Sequence, residues 1–214
     1  MSIVTYTYRP EDRATGGPNG PINVIVLHTL ECPTGLSANG EGYARMLTGP
    51  NYLGQRNMEQ IKSVHYVVGV QDICASCPED TLAWHARGAS KGCIAIEQEG
   101  RAAFTQADWA SGDGAVIVRN TASLVGDIHQ RHGIPLRFLS GDALRTAYAD
   151  HSDLAAGGVT THHELTRAGI GGNDHTDPGD AYPIDLVLQL ADGAGPAESN
   201  DTYVIRYVSE PSYG

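Results

Sequence analysis

The chain has 214 residues, 41% hydrophobic and 18% charged, which suits one globular domain whose core needs no staples. Its 14 Lys and Arg against 25 Asp and Glu leave a net charge of −11, which argues against a nucleic-acid partner and against electrostatic adhesion to an anionic membrane or wall. No apolar run approaches the roughly 20 residues of a membrane span, and the N-terminal MSIVTYTYRPEDR lacks the basic-then-apolar pattern of a signal peptide, so a soluble cytoplasmic product is expected.

Ile3–Tyr8 is a short β-type run, followed by a Pro- and Gly-rich connection. Ile22–Leu27 is β-branched and apolar on both faces, the pattern of a central strand, and it ends directly in His28-Thr29. A histidine at the exit of a buried strand is placed to line a pocket. Ser37–Leu47 predicts a short helix and Pro50–Lys62 a polar excursion. Ser63–Val70 and Cys93–Glu99 are the second and third strands. In the third, Ile94, Ile96 and Gln98 face one way and Cys93, Ala95, Glu97 and Glu99 the other. Two carboxylates on one strand face repel each other in a core, so that face is expected to open to solvent or to a cation.

From Asp113 to His132 the spacing of Ile117, Thr121, Leu124, Val125 and Ile128 is helical, with Gly133 and Pro135 as stops. Further helices are predicted at Asp142–Ala149 and Pro183–Ala191, and a last strand at Thr202–Val208. Residues 1–192 then form the domain and 193–214 a linker with a C-terminal extension. Strands and helices without regular alternation indicate an α/β fold, a central mixed β-sheet flanked by helices. Of the four cysteines, Cys74 and Cys77 form a lone C-x-x-C; buried free thiols are expected for all four.

Val159–Asp180 holds three histidines, three aspartates, one glutamate and four glycines in 22 residues, with few apolar side chains to bury. That composition predicts a long functional loop. Imidazole and carboxylate are zinc ligands, and His175-Thr176-Asp177-Pro178-Gly179 supplies a rigid turn to carry a carboxylate. Among the nine histidines, His65 suits a hydrogen-bonded core position, His129, His132 and His151 the surface, and His85 a ligand groove. His163 adjoins His162, and one of an adjacent pair usually faces a given metal. His28, His162 and Asp177 remain, with His175 two residues before the aspartate. Two histidines and a carboxylate leave the fourth tetrahedral position open for water, the catalytic arrangement of zinc.

The blocks Val26-Leu27-His28-Thr29, Ser63-Val64-His65-Tyr66, Ala83-Trp84-His85-Ala86, Ile94-Ala95-Ile96-Glu97-Gln98-Glu99-Gly100, Thr161-His162-His163-Glu164 and His175-Thr176-Asp177-Pro178-Gly179, in that order, are together similar to zinc N-acetylmuramoyl-L-alanine amidases. This is the amidase-2 family, related in structure to peptidoglycan recognition proteins, and the chain resembles the amidase domain of endolysins from phages of actinobacterial hosts. The resemblance runs from about Ile22 to Asp185. It implies a mixed sheet with one zinc ion (Zn2+) in a groove at one sheet face, held by His28, His162 and Asp177, and Glu97 as general base. His175 occupies the place where many members have an oxyanion-steadying lysine, and Trp84 and His85 line the groove. The implied partner is bacterial peptidoglycan and the implied state a monomer, made in the host cytoplasm and reaching the wall at lysis. The implied reaction is hydrolysis of the amide between the lactyl group of N-acetylmuramic acid and L-alanine. A non-catalytic peptidoglycan-binding module and a zinc peptidase cutting within the stem peptide are the alternatives.

Overall fold

A computed structural model of the chain describes residues 2–5, 15–34, 63–149, 157–172, 174–193 and 204–207. The predicted helix at Ser37–Leu47, the excursion at Pro50–Lys62 and His151 lie outside the described residues.

The strands are β1 (Ser2–Thr5), β2 (Thr15–Pro18), β3 (Val24–Thr29), β4 (Tyr66–Val68), β5 (Ile73–Ala75), β6 (Thr81–Ala83), β7 (Cys93–Gln98), β8 (Gly158–Thr161) and β9 (Val204–Tyr207). The helices are α1 (Gln106–Ala110), α2 (Gly112–His132), α3 (Gly141–Ala149), α4 (His162–Arg167) and α5 (Ile184–Ala191). Seven strands make one mixed sheet in the order β8-β3-β7-β4-β5-β1-β9, and β2 pairs with β6 in a separate antiparallel ribbon. All the sheet's pairings are parallel except β4 with β5. The last strand, β9, lies beyond the boundary expected at residue 192 and joins the edge of the sheet beside β1.

β3 is central because every residue of it is buried, which a parallel strand between two neighbours requires. Its odd-numbered side chains, Ile25 and Leu27, join Ile94 and Ile96 of β7 in a core closed by Ile117, Leu124 and Ile128 of α2 and Val187 of α5. Gln98 faces the same side, where it accepts hydrogen bonds from Thr121 (2.8 Å) and Tyr182 (3.0 Å). The even-numbered Val24 and Val26 pack on the other face with Cys93, Leu144 of α3 and Leu165 of α4. The period-two reading of both strands therefore holds. His28 and Glu97, which pair across β3 and β7, continue the rows of Val24, Val26, Cys93 and Ala95 on that second face.

The first half of the long loop expected over Val159–Asp180 is instead strand β8 followed at once by helix α4, and the loop begins only after Arg167. Val159, Thr160 and Thr161 are β-branched and buried, and they pair with β3, so tertiary contact outweighs the polar composition. Thr161 caps the helix by accepting from the Glu164 amide at 3.2 Å. The second strand is also shorter than predicted, Tyr66–Val68 in place of Ser63–Val70. Residues 63–65 lie outside it, tied to neighbouring segments by Ser63 N to Trp84 O (3.0 Å) and His65 N to Ala95 O (3.1 Å). The carboxylate face of β7 is only partly open: Glu97 is half-buried, whereas Glu99 is fully buried. Helix α2 ends where Gly133 adopts a left-handed φ of 69° and its amide returns to the His129 carbonyl. Cys74, Cys77 and Cys93 are buried as expected, whereas Cys32 is partly exposed.

Candidate metal centre

His28, His162 and Asp177 come from three separate elements and meet on the second face of the sheet, all three buried. His28 is the second-last residue of β3. His162 is the first residue of α4, directly after Thr161, whose predecessors pair with β3. Asp177 sits in a turn whose carbonyl accepts from the His163 amide at 2.8 Å. That turn is pressed against residue 102: Gly179 has φ 93°, and a Cβ there would run into the Ala102 carbonyl.

The Nδ1 atoms of His28 and His162 are 3.1 Å apart, and the Asp177 carboxylate straddles them, Oδ2 at 3.3 Å from His28 Nδ1 and Oδ1 at 3.3 Å from His162 Nδ1. Two ligand atoms of a tetrahedral zinc with bonds of about 2.0–2.1 Å stand about 3.3 Å apart, so this donor set has the right spacing as well as the right chemistry. Proton positions support the same fit. His162 Nε2 lies 2.9 Å from the Gly171 carbonyl, which only accepts, so Nε2 carries the hydrogen and Nδ1 presents a lone pair. Two such nitrogens at hydrogen-bond distance need a proton or a metal ion between them.

Burial pushes the His28 imidazole down to about 4 despite the neighbouring Asp177, so it is neutral and ready to ligate at neutral pH. Burial alone would raise Asp177, but the His162 and His28 imidazoles against it outweigh that and hold the carboxyl well below the usual range.

The remaining expected residues surround this centre. His175 is partly exposed, stacks on His162 with ring centroids 3.8 Å apart, and points Nδ1 at Asp177 Oδ1 from 3.5 Å. His163 does not join the cluster; it turns to Asp180 at the surface, 3.5 Å away. The two histidines open a helix, so they diverge by helical rotation and not by the alternation of an extended chain. Glu97 stands beside His28 on the neighbouring strand. Trp84, His85 and His175 line a cleft of ≈ 680 Å³ together with Arg87 and Lys91. His85 is almost wholly buried in its wall and bonds to His28, Nδ1 to Nε2 at 3.0 Å. Residue types alone did not reveal the Gly171 carbonyl, Arg87 or Lys91, because main-chain acceptors and surface cations carry no distinguishing pattern. His65 is the core histidine expected: it accepts from the Ala95 amide at 2.9 Å and donates to the Thr81 carbonyl at 3.0 Å.

A mixed sheet with helices on it thus carries a His-His-Asp group that could hold a metal ion, with His28 and His162 at the ends of two parallel strands and Asp177 in a turn beside them. The N-acetylmuramoyl-L-alanine amidase family, Amidase_2, matches residues 18–180, and the chain belongs to it. The fold is similar to that of the Staphylococcus aureus hydrolase AmiA, solved in complex with its ligand, at 19% identity and a TM-score of 0.60, covering 90% of this chain and 82% of that one. It is similar also to the N-acetylmuramoyl-L-alanine amidase LysC from Clostridium intestinale (14% identity, TM-score 0.54, 89% and 97% covered). A mutant endolysin from Bacillus subtilis shares the fold at 18% identity and a TM-score of 0.54, with 90% and 98% covered. A search of curated proteins returns no match.

Proposed function

We propose that the chain is a zinc-dependent N-acetylmuramoyl-L-alanine amidase that cuts the amide between the lactyl group of N-acetylmuramic acid and L-alanine, acting as a phage endolysin on the host wall. The observation that carries this reading is the pair of His Nδ1 atoms 3.1 Å apart with the Asp177 carboxylate across them, in a chain of this family. The endolysin role draws support from the likeness to LysC and to the Bacillus subtilis endolysin.

His28, His162 and Asp177 would hold the ion, which supplies a Lewis acid for the scissile carbonyl and a lowered pKa for the attacking water. Glu97, level with His28 in the sheet and half-buried, takes the proton of that water and returns it to the departing amine of L-alanine. His175, at the rim and partly exposed, donates a hydrogen bond to the carbonyl oxygen as negative charge develops there. Trp84 offers its ring to the sugar or stem peptide in the cleft.

The test is digestion of purified cell wall followed by mass spectrometry, with and without a chelator. A new alanine N-terminus on intact stem peptide, with loss of lysis on chelation and recovery on added zinc, is expected. A different new terminus means a peptidase, and full activity in metal-free protein overturns the zinc reading.

A further inference from the structure

His85 was expected to contact substrate in the groove, but its geometry serves another atom. Its Nδ1 lies 3.0 Å from His28 Nε2, and the two rings meet edge to face with centroids 5.1 Å apart. The pair has two tautomeric arrangements. If His85 donates from Nδ1, His28 accepts at Nε2 and keeps its hydrogen on Nδ1, the atom that faces His162 and Asp177. A metal cannot bind there in that state. If His28 donates from Nε2, its Nδ1 is a lone pair aimed into the centre, and His85 carries its own hydrogen on Nε2.

We propose that His85 is a positioning residue that accepts the Nε2 hydrogen of His28 and so fixes the ring and tautomer in which His28 ligates metal. This rests on the zinc reading above. His162 receives the equivalent help from the Gly171 carbonyl, 2.9 Å from its Nε2. Each ligand histidine thus has an acceptor behind it, one from the main chain and one from a side chain. Such outer partners fix ring orientation and raise ligand basicity.

The local chain is built to hold the acceptor still. The Ser90 hydroxyl accepts from the Ala86 amide at 3.0 Å and the His85 amide at 3.4 Å, and donates to the Ala86 carbonyl at 2.7 Å. The Trp84 amide donates to the Ser63 hydroxyl at 2.9 Å. Among the described residues the buried His85 Nε2 has no hydrogen-bond partner, and the ring's hydrogen bond to them is made at Nδ1. A residue selected to hold sugar or peptide would turn that nitrogen to the cleft.

The experiment measures zinc affinity by competition with a chromophoric chelator for the wild type, His85→Ala and His85→Asn, alongside kcat and KM on wall fragments. Asn places an acceptor oxygen near the position of Nδ1. His85→Ala should weaken zinc about 10–100-fold, the usual cost of losing an outer partner, and His85→Asn should recover most of it. In zinc-loaded wild type, nitrogen NMR should show His28 protonated at Nε2 and His85 bare at Nδ1, a readout that needs no variant to fold. If His85→Ala binds zinc as the wild type does and raises only KM, His85 is a groove residue and the inference falls. If NMR finds the hydrogen on His85 Nδ1, it falls likewise. If the wild type binds no zinc, the metal reading fails first and takes this inference with it.

Discussion

At the scale of single residues, two neighbouring histidines carry opposite burdens. His162 is buried with both ring nitrogens engaged, one at the Gly171 carbonyl and one at the centre, while the His163 side chain turns to an exposed Asp180. His162→Ala is therefore expected to lose zinc affinity and His163→Ala to keep it; titration of both variants with zinc decides, and the reverse order refutes the assignment. Glu97→Ala should retain fold and zinc while turnover drops about 10²–10⁴-fold, the range of general-base assistance. An active Glu97→Ala enzyme would remove Glu97 from the reaction. Glu99, two residues on, cannot serve as its neutral control. It is fully buried, so its alanine variant leaves a cavity and acts through stability.

Secondary elements decide how the ligands are delivered. His162, whose imidazole joins the His-His-Asp group, opens α4, and the Thr161 hydroxyl that caps this helix sits one residue before it. Thr161→Ala should cost about 0.5–2 kcal/mol, read as a fall of roughly 2–4 °C per kcal/mol in Tm, with weaker zinc binding beside it; Thr161→Ser should restore both. Unchanged melting and zinc affinity in the alanine variant would separate the cap from the site. This helix also shows where sequence reading stopped. α2 was legible because Ile117, Leu124 and Ile128 keep one face and Gly133 ends it. β3 and β7 were legible from β-branched runs and alternation. In residues 158–167 the histidines and flanking glycines masked a strand of four residues and a helix of six, although Thr161-x-x-Glu164 is a start signal for a helix. β5 and β6 have three residues each, too few for any period to register. The grouping of His28, His162 and Asp177 was readable from residue type. The His28–His85 bond was not, because an imidazole pair 57 residues apart leaves no mark on spacing.

Across the whole molecule, one ionic clamp ties the end of the long helix to the sheet on the side away from the centre. Glu79 accepts from Arg131 at 2.6 and 2.8 Å, from His132 at 2.7 Å and from Tyr66 of β4 at 2.7 Å. Burial pushes Glu79 up, yet Arg131, Tyr66 and His132 prevail and hold it at about 2 against an ordinary 4.5. A depressed carboxyl stabilises the fold above its unfolded value, and that stability drains away as pH falls through the folded one. Glu79→Gln should thus lower Tm at neutral pH, and its gap to the wild type should narrow between pH 4.5 and about 2, followed by thermal melts across that range. A gap independent of pH would mean the carboxylate contributes shape and not charge. The order of the sheet has a consequence for manufacture. β3 is flanked by β7 on one side and by β8 on the other, and β8 begins only at Gly158. On the ribosome, the strand with the most to hide waits with one edge bare while the intervening chain is made, roughly 6–26 s at about 5–20 residues per second. Until then the nascent protein carries His28 without His162 or Asp177. Its open strand edge is a template for pairing with other chains, and the three-residue centre can close only once residue 177 has been made.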